Sequence, residues 1–155
     1  MDTAIHLDRD FKEFVESFVA HDVRFMIVGG YALAAHGHPR ATGDLDAWIW
    51  LNPTNAQRVL DALESFGFGS LGLTADDFAQ ANAVIQLGHP PHRIDIITNI
   101  DGVEFDDAWE RRMPVAIEGT TAHIIGRDDL IRNKLAAGRA QDIADAERLR
   151  QASNP

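Results

Sequence analysis

The 155-residue chain has no cysteine, which excludes both a disulfide framework and a thiolate metal site. That fits a reducing compartment. No apolar run approaches the roughly 20 residues that a membrane span requires. Met1 to Asp10 is polar and acidic, unlike the basic-then-apolar layout of a secretory signal. A soluble, cytoplasmic protein with no membrane partner is therefore expected. Cations are scarce too: 14 Lys and Arg face 24 Asp and Glu, a formal charge of −10. Nucleic-acid coats neutralise phosphates with Lys and Arg, so a uniformly acidic surface argues against a general DNA or RNA coat. A local basic patch stays open. Part of the negative charge can also be concentrated in a site where bound cations offset it.

What is present is globular. Hydrophobic residues make up 45% and charged residues 25%, at a length that suits one domain with its own core. Phe11, Phe14, Val15, Phe18 and Val19 recur at helical spacing over about 8–21. Val23 to Val28 is a mostly apolar strand that ends at Gly29-Gly30, and Tyr31 to His36 then has good helix formers. A strand is expected from about Asp44 to Leu51. Asn52 and Pro53 open the next helix, striped by Val59, Leu60, Leu63 and Phe66. Residues 70–82 give no clear pattern beyond a short helical turn after Thr74. Val84 to Leu87 and Arg93 to Thr98 read as strands, followed by a short helix at Phe105 to Arg111. Val115 to Ile117 and Ala122 to Ile125 read as a hairpin, and 128–151 as helix with a break near Gly138. No repeat or linker interrupts the chain. One mixed α/β (α+β) domain over 1–155 is expected, with its core at about 23–125 and a C-terminal helical segment.

The chemistry lies in the acids. Residues two apart on a strand share a face, so Asp44 and Asp46 should project together. Adjacent carboxylates repel unless a cation lies between them. Asp95 stands among Ile94, Ile96 and Ile97, where an acid either faces solvent or serves a site. Three carboxylates suit Mg2+ or Mn2+, hard cations that usually keep water and substrate phosphates in their shells. Upstream, Gly29-Gly30 lets backbone N–H groups approach an anion at a helix start. An Asp-x-Asp pair alone is commonly a solvated face, and a lone Gly-Gly only a turn. The order is more specific: strand, Gly29-Gly30, thirteen residues from Tyr31 to Gly43, Asp44-Leu45-Asp46, then Asp95 on a later strand.

The stretch GGYALAAHGHPRATGDLDAWI resembles the signature of the DNA polymerase β-like nucleotidyltransferases in their minimal bacterial branch, and RIDIIT resembles the strand carrying that superfamily's third acid, here Asp95. DDLIRNKLAAGRAQDIADAERL resembles the C-terminal helical motif of the abortive-infection type IV toxin nucleotidyltransferases and their uncharacterised relatives. Its Lys falls on Lys134, its Arg on Arg139 and its acids on Asp142 and Asp145. The likeness runs from about Val23 to Leu149. It implies the nucleotidyltransferase fold: a mixed sheet flanked by helices, with a C-terminal helical segment. It also implies catalytic metal ligands at Asp44, Asp46 and Asp95. Nucleotide contacts are implied at Gly29, Gly30, Arg40, Thr42, Lys134, Arg139 and Asp142.

Several of these residues also have bland readings. Lys134 can snorkel to solvent instead of meeting phosphate. Asp142 can simply pair with Arg139 or Lys134, and Arg40 can be a solvated loop charge. His89 and His92 flank two prolines without a third soft ligand and read as turn residues. Trp48, Trp50 and Trp109 read as core before base-stacking surface. His36 and His38 could line the loop over the site, which the sequence leaves open.

The expected activity is transfer of an NMP from an NTP to an acceptor hydroxyl, with release of pyrophosphate. Mg2+ (or Mn2+) is the expected cofactor. The acceptor is left open among tRNA, protein and small molecule. A cognate partner protein or a homodimer could complete the site. Two alternatives stand beside it: a non-catalytic nucleotide-binding or toxin–antitoxin regulatory module, and an interaction protein with structural acids.

Overall fold

The computed structural model describes residues 3–4, 7–38, 43–67, 71–88 and 92–151. Seven strands form one sheet: β1 (Thr3–Ala4), β2 (Phe25–Val28), β3 (Leu45–Ile49), β4 (Val84–Leu87), β5 (Ile94–Ile97), β6 (Met113–Ile117) and β7 (Thr120–Ile124). Their order across the sheet is β1-β6-β7-β2-β3-β5-β4. The sheet is mixed, with β2 antiparallel to β3 and β3 parallel to β5. The helices are α1 (Arg9–Ala20), α2 (Gly29–Ala35), α3 (Pro53–Phe66), α4 (Phe105–Glu110), α5 (Arg127–Ala137) and α6 (Ala140–Gln151).

Strand alternation divides the interior in two. Phe25 and Ile27 of β2, Leu45, Ala47 and Ile49 of β3 and Ile94 and Ile96 of β5 point to one face. They pack there with Phe11, Phe14, Val15 and Phe18 of α1 and Ala56, Val59, Ala62 and Leu63 of α3. Met26, Val28 and Trp48 point the other way, onto Phe105 and Ala108 of α4, Leu130 and Ile131 of α5, and Ala146 and Leu149 of α6. The result is three layers, helix on sheet on helix. Asp46 lies between Leu45 and Ala47, and Asp95 between Ile94 and Ile96. Both therefore belong to the face covered by α5 and α6. This fixes where the chemistry can occur.

The helix ends follow their local signals. Asp8 caps α1 by accepting from the Phe11 amide at 3.1 Å. Asn52 caps α3 through the Thr54 and Asn55 amides, with Pro53 in its first turn, and Gly67 closes it in the left-handed region. In the stretch that gave no clear pattern, a short 3-10 turn at Ala75–Phe78 buries Phe78, and Asp77 accepts from the Thr74 amide at 2.7 Å.

Two expectations are refined. The first core is not confined to 23–125, because α1 contributes four fully buried side chains to it. The C-terminal segment is two helices: Gly138 terminates α5 at φ 73° and α6 begins two residues later. Asp142 therefore does not continue the face of Lys134 along one rod. The reversal of the chain brings it back against Lys134.

Candidate active site

Val28 pairs with Asp46 across β2 and β3, and Asp46 pairs with Asp95 across β3 and β5. The C-terminal end of β2 is thus level with both acids, and α2 starts there at Gly29. Gly29 has φ 68°, and a Cβ at this position would collide with Oδ2 of Asp46. Glycine is needed here for two reasons: the backbone is left-handed and the carboxylate lies against it.

Asp44 immediately precedes β3, and its carboxylate is joined to that of Asp95 through a residue that the motif reading passed over. Arg93 donates from Nε to Oδ1 of Asp95 at 2.9 Å and from Nη2 to Oδ2 of Asp44 at 2.9 Å. The signal was available, since Arg93 stands two residues before Asp95, the same spacing that links Asp44 to Asp46. One guanidinium pairs with two of the three acids. Burial, then the charges of Asp95 and Asp44 and a hydrogen bond with Asp95, push the Asp46 carboxyl up to about 7, and Arg93 opposes this only in part.

Across the cleft, Lys134 of α5 is only 7% exposed. Its Nζ lies 3.1 Å from Oδ2 of Asp145 and 3.5 Å from Oδ1 of Asp142, both on α6. Arg139 donates to Oδ2 of Asp142 at 2.7 Å from an otherwise exposed side chain. Burial pushes the Asp142 carboxyl up, but the Arg139 hydrogen bond and the charges of Lys134 and Arg139 outweigh it, leaving its pKa below the ordinary range. The pairing with Arg139 and Lys134 is therefore what Asp142 does in this structure.

These residues line one open cleft of about 810 Å³ that includes Gly29, Gly30, Asp44, Asp46, Asp95, Lys134, Arg139 and Asp142. A volume of that order fits a nucleotide-sized ligand. Asn99, Asp101 and Asn133 also line it, and were not anticipated from the sequence. Arg40, Thr42 and His89 lie outside the described residues. His92 pairs with Asp8 at 2.7 Å and packs edge-on to Phe11. His36 does not line the cleft: its Nε2 bonds the Ile125 carbonyl at 2.8 Å, tying α2 to the segment after β7. Trp48 is core, with Nε1 donating to the Thr98 carbonyl at 3.3 Å.

Among the described residues, no three acidic or histidine side chains stand ready as a metal cage in their present positions. Arg93 holds Asp44 and Asp95 instead. The donor set nevertheless has the chemistry that a divalent cation requires. It consists of hard oxygen donors on one face, and a single guanidinium leaves Asp46 with excess negative charge around it.

The fold recurs in solved structures. A candidate nucleotidyltransferase from Thermotoga maritima superposes with TM-score 0.61 at 16% identity, covering 94% of this chain and 91% of that one. The lincomycin-bound lincosamide antibiotic adenylyltransferase LnuA gives 0.54 at 11% identity, covering 94% and 98%. An antigenic nucleotidyltransferase-like protein from Paracoccidioides brasiliensis gives 0.53 at 17% identity, covering 94% and 76%. At these identities the likeness establishes the nucleotidyltransferase fold. No curated protein matches the chain. The sequence profile described as "Nucleotidyltransferase of unknown function (DUF6036)" matches residues 5–151, and the chain belongs to that family.

Proposed function

We propose that this member of the family is a metal-dependent nucleotidyltransferase that moves an NMP from an NTP to an acceptor hydroxyl and releases pyrophosphate. The observation that carries this reading is the meeting of Asp44, Asp46 and Asp95 with Gly29-Gly30 and the Lys134 helix in one cleft. Asp44, Asp46 and Asp95 would hold Mg2+ or Mn2+, which would supply charge neutralisation for the triphosphate and acidify the acceptor hydroxyl. Gly29 and Gly30 would offer amides to the β and γ phosphates at the start of α2. Lys134 uses its ammonium on two aspartates and has a third hydrogen to offer a phosphate oxygen, and Arg139, with Arg40 and Thr42 as the resemblance implies, would add further nucleotide contacts. In the in-line step the acceptor oxygen bonds to the α-phosphorus as the bond to pyrophosphate breaks, and Asp95 takes the hydroxyl proton.

The acceptor class is tRNA, as for the abortive-infection toxins that the C-terminal motif resembles, or a protein or small-molecule hydroxyl. LnuA, named as an antibiotic adenylyltransferase, supports the last class. A cognate partner or second copy would complete acceptor binding. The test uses α-labelled NTPs, Mg2+ and separate pools of tRNA, protein and metabolites, comparing wild type with Asp44→Ala/Asp46→Ala. Label should enter one pool with wild type and not with the variant. Transfer that survives both substitutions would sink the assignment.

A non-catalytic nucleotide-binding or toxin–antitoxin regulatory role is favoured by one observation, the salt bridges from Arg93 that already engage Asp44 and Asp95. Calorimetry showing Mg2+-dependent NTP binding, together with no transfer to any pool, would support it.

A further inference from the structure

At the opposite end of the central strands from the acids lies a second pocket, of about 240 Å³. The Trp50 amide donates to the Arg24 carbonyl at 3.0 Å, closing the end of the β2–β3 pair remote from Val28 and Asp46. Four residues of strand, about 13 Å, separate the two ends. Here the arginines stack instead of pairing with acids. The Arg24 guanidinium lies 4.3 Å from the Trp50 ring centroid and 5.1 Å from that of Trp109, and Arg112 lies 3.9 Å from Trp109. Arg58 lines the same pocket from α3 and reaches only the Asp22 carbonyl, at 3.4 Å.

The charge pattern is what distinguishes this place. Arg9, Arg93, Arg111, Arg127, Arg132 and Arg139 each hold a carboxylate. Arg24, Arg58 and Arg112 hold none among the described residues, although acids outnumber bases 24 to 14 in the chain. The Arg24 guanidinium, stacked on indole, keeps its planar N–H edge available, the geometry that binds a phosphate bidentately, whereas Arg112 spends Nη1 on the Trp109 carbonyl at 2.7 Å and adds only its charge. The faces of Trp109 are engaged by Phe105 and the arginines, so the pocket offers hydrogen-bonding edges and not a free ring for a base. The volume suits a phosphate group. Asp22 is the one acid in the lining, and it opposes an anion without cancelling the two arginines, Arg24 and Arg58.

We propose that Arg24 and Arg58, with Arg24 set by Trp50 and Trp109 and the charge of Arg112 close by, form a second, phosphate-binding site separate from the acid cleft. It takes the phosphates of a single-stranded nucleic acid or of a free polyphosphate ligand. The proposal does not depend on nucleotidyl transfer. It is tested in EDTA, without nucleotide, by anisotropy of a fluorescein-labelled 12-nucleotide RNA and by the emission of the chain's own tryptophans on adding inorganic triphosphate. Arg58→Glu should weaken whichever probe binds at least tenfold, with Arg58→Lys close to wild type. For the strand, the slope of log affinity against log salt should fall by about 0.7 for each arginine removed. Asp44→Asn/Asp46→Asn should bind as wild type. Arg58 is exposed on a helix, so its variants test binding and not folding. Strand binding identifies a nucleic acid as the occupant, and triphosphate binding without it identifies a free phosphorylated ligand. Equal binding by wild type, Arg58→Glu and Arg24→Gln, or binding of neither probe at low salt, overturns the site.

Discussion

Arg93 and Asp95, two residues apart in the chain, form a 2.9 Å ion pair through which one guanidinium also reaches Asp44. The acids of the cleft are therefore carried with a built-in counter-ion. A divalent cation bound by Asp44 and Asp95 would compete with it for the same oxygens.

Replacing Arg93 by Gln should change metal response before anything else. Without the guanidinium, three carboxylates repel one another, so the metal-free protein should melt lower and gain more from Mg2+ than wild type does. Thermal denaturation across a Mg2+ titration reads both effects. An unchanged Mg2+ dependence would show that Arg93 does not compete with metal.

The pKa of Asp46 is raised in the folded protein to about 7, from about 4 when exposed. The folded state thus binds this proton more tightly than the unfolded chain does. Its contribution to stability is fully present below about pH 4 and is lost as pH rises through about 7. Asp46→Asn should remove that loss, so the metal-free variant gains on wild type between pH 5 and 8. Metal binding must expel the same proton, so Mg2+ affinity should rise over that range in wild type. Urea denaturation with and without Mg2+ at several pH values checks both signs.

Gly29 and Gly138 both have positive φ, yet their alanine variants should behave differently. At Gly138 the nearest atoms to a new Cβ are 3.8 Å away, so only backbone strain applies, about 1–2 kcal/mol. At Gly29 the same strain is joined by collision with the Asp46 carboxylate. Gly29→Ala should therefore lose transfer activity by two orders of magnitude or more and be the less stable of the two, while Gly138→Ala keeps most of its activity and loses only about 1–2 kcal/mol of stability. Parallel assays of kcat/KM and urea midpoint separate the two.

Lys134→Met should be the most destabilising single change in the cleft. It removes the ammonium beside Asp145, which is fully buried and otherwise accepts from Gln141 Nε2 at 2.9 Å, and it removes one partner of Asp142. Breaking a buried pair from one side costs about 3–5 kcal/mol. Adding Asp145→Asn should recover much of that loss without restoring activity, if the ammonium also serves the phosphates. Recovery of both would make Lys134 purely structural.

Much of the layout was legible because it depends on local chemistry. The 3.6-residue apolar spacing of Phe11, Phe14, Val15 and Phe18, the Asn52-Pro53 cap and the two-residue alternation around Asp46 are short-range facts about a chain in water. They yield helices, strands and the face on which each acid lies. Gly29-Gly30 before Asp44-Leu45-Asp46 carried the family resemblance for the same reason: its spacing is local.

The rest depended on which segments meet. By itself the chain determined that Asp44 and Asp46 share a face, that Asp95 interrupts an apolar strand and that a break falls near Gly138. Tertiary structure alone decided that Asp95 lies level with Asp46, because β3 pairs in parallel with β5 while β4 takes the edge. It also decided that Arg93 spans Asp44 and Asp95, and that the turn at Gly138 carries Asp142 and Asp145 back onto Lys134. Registry between strands and the packing of one helix on the next are set by burial summed over the whole core. No single segment of sequence contains that sum.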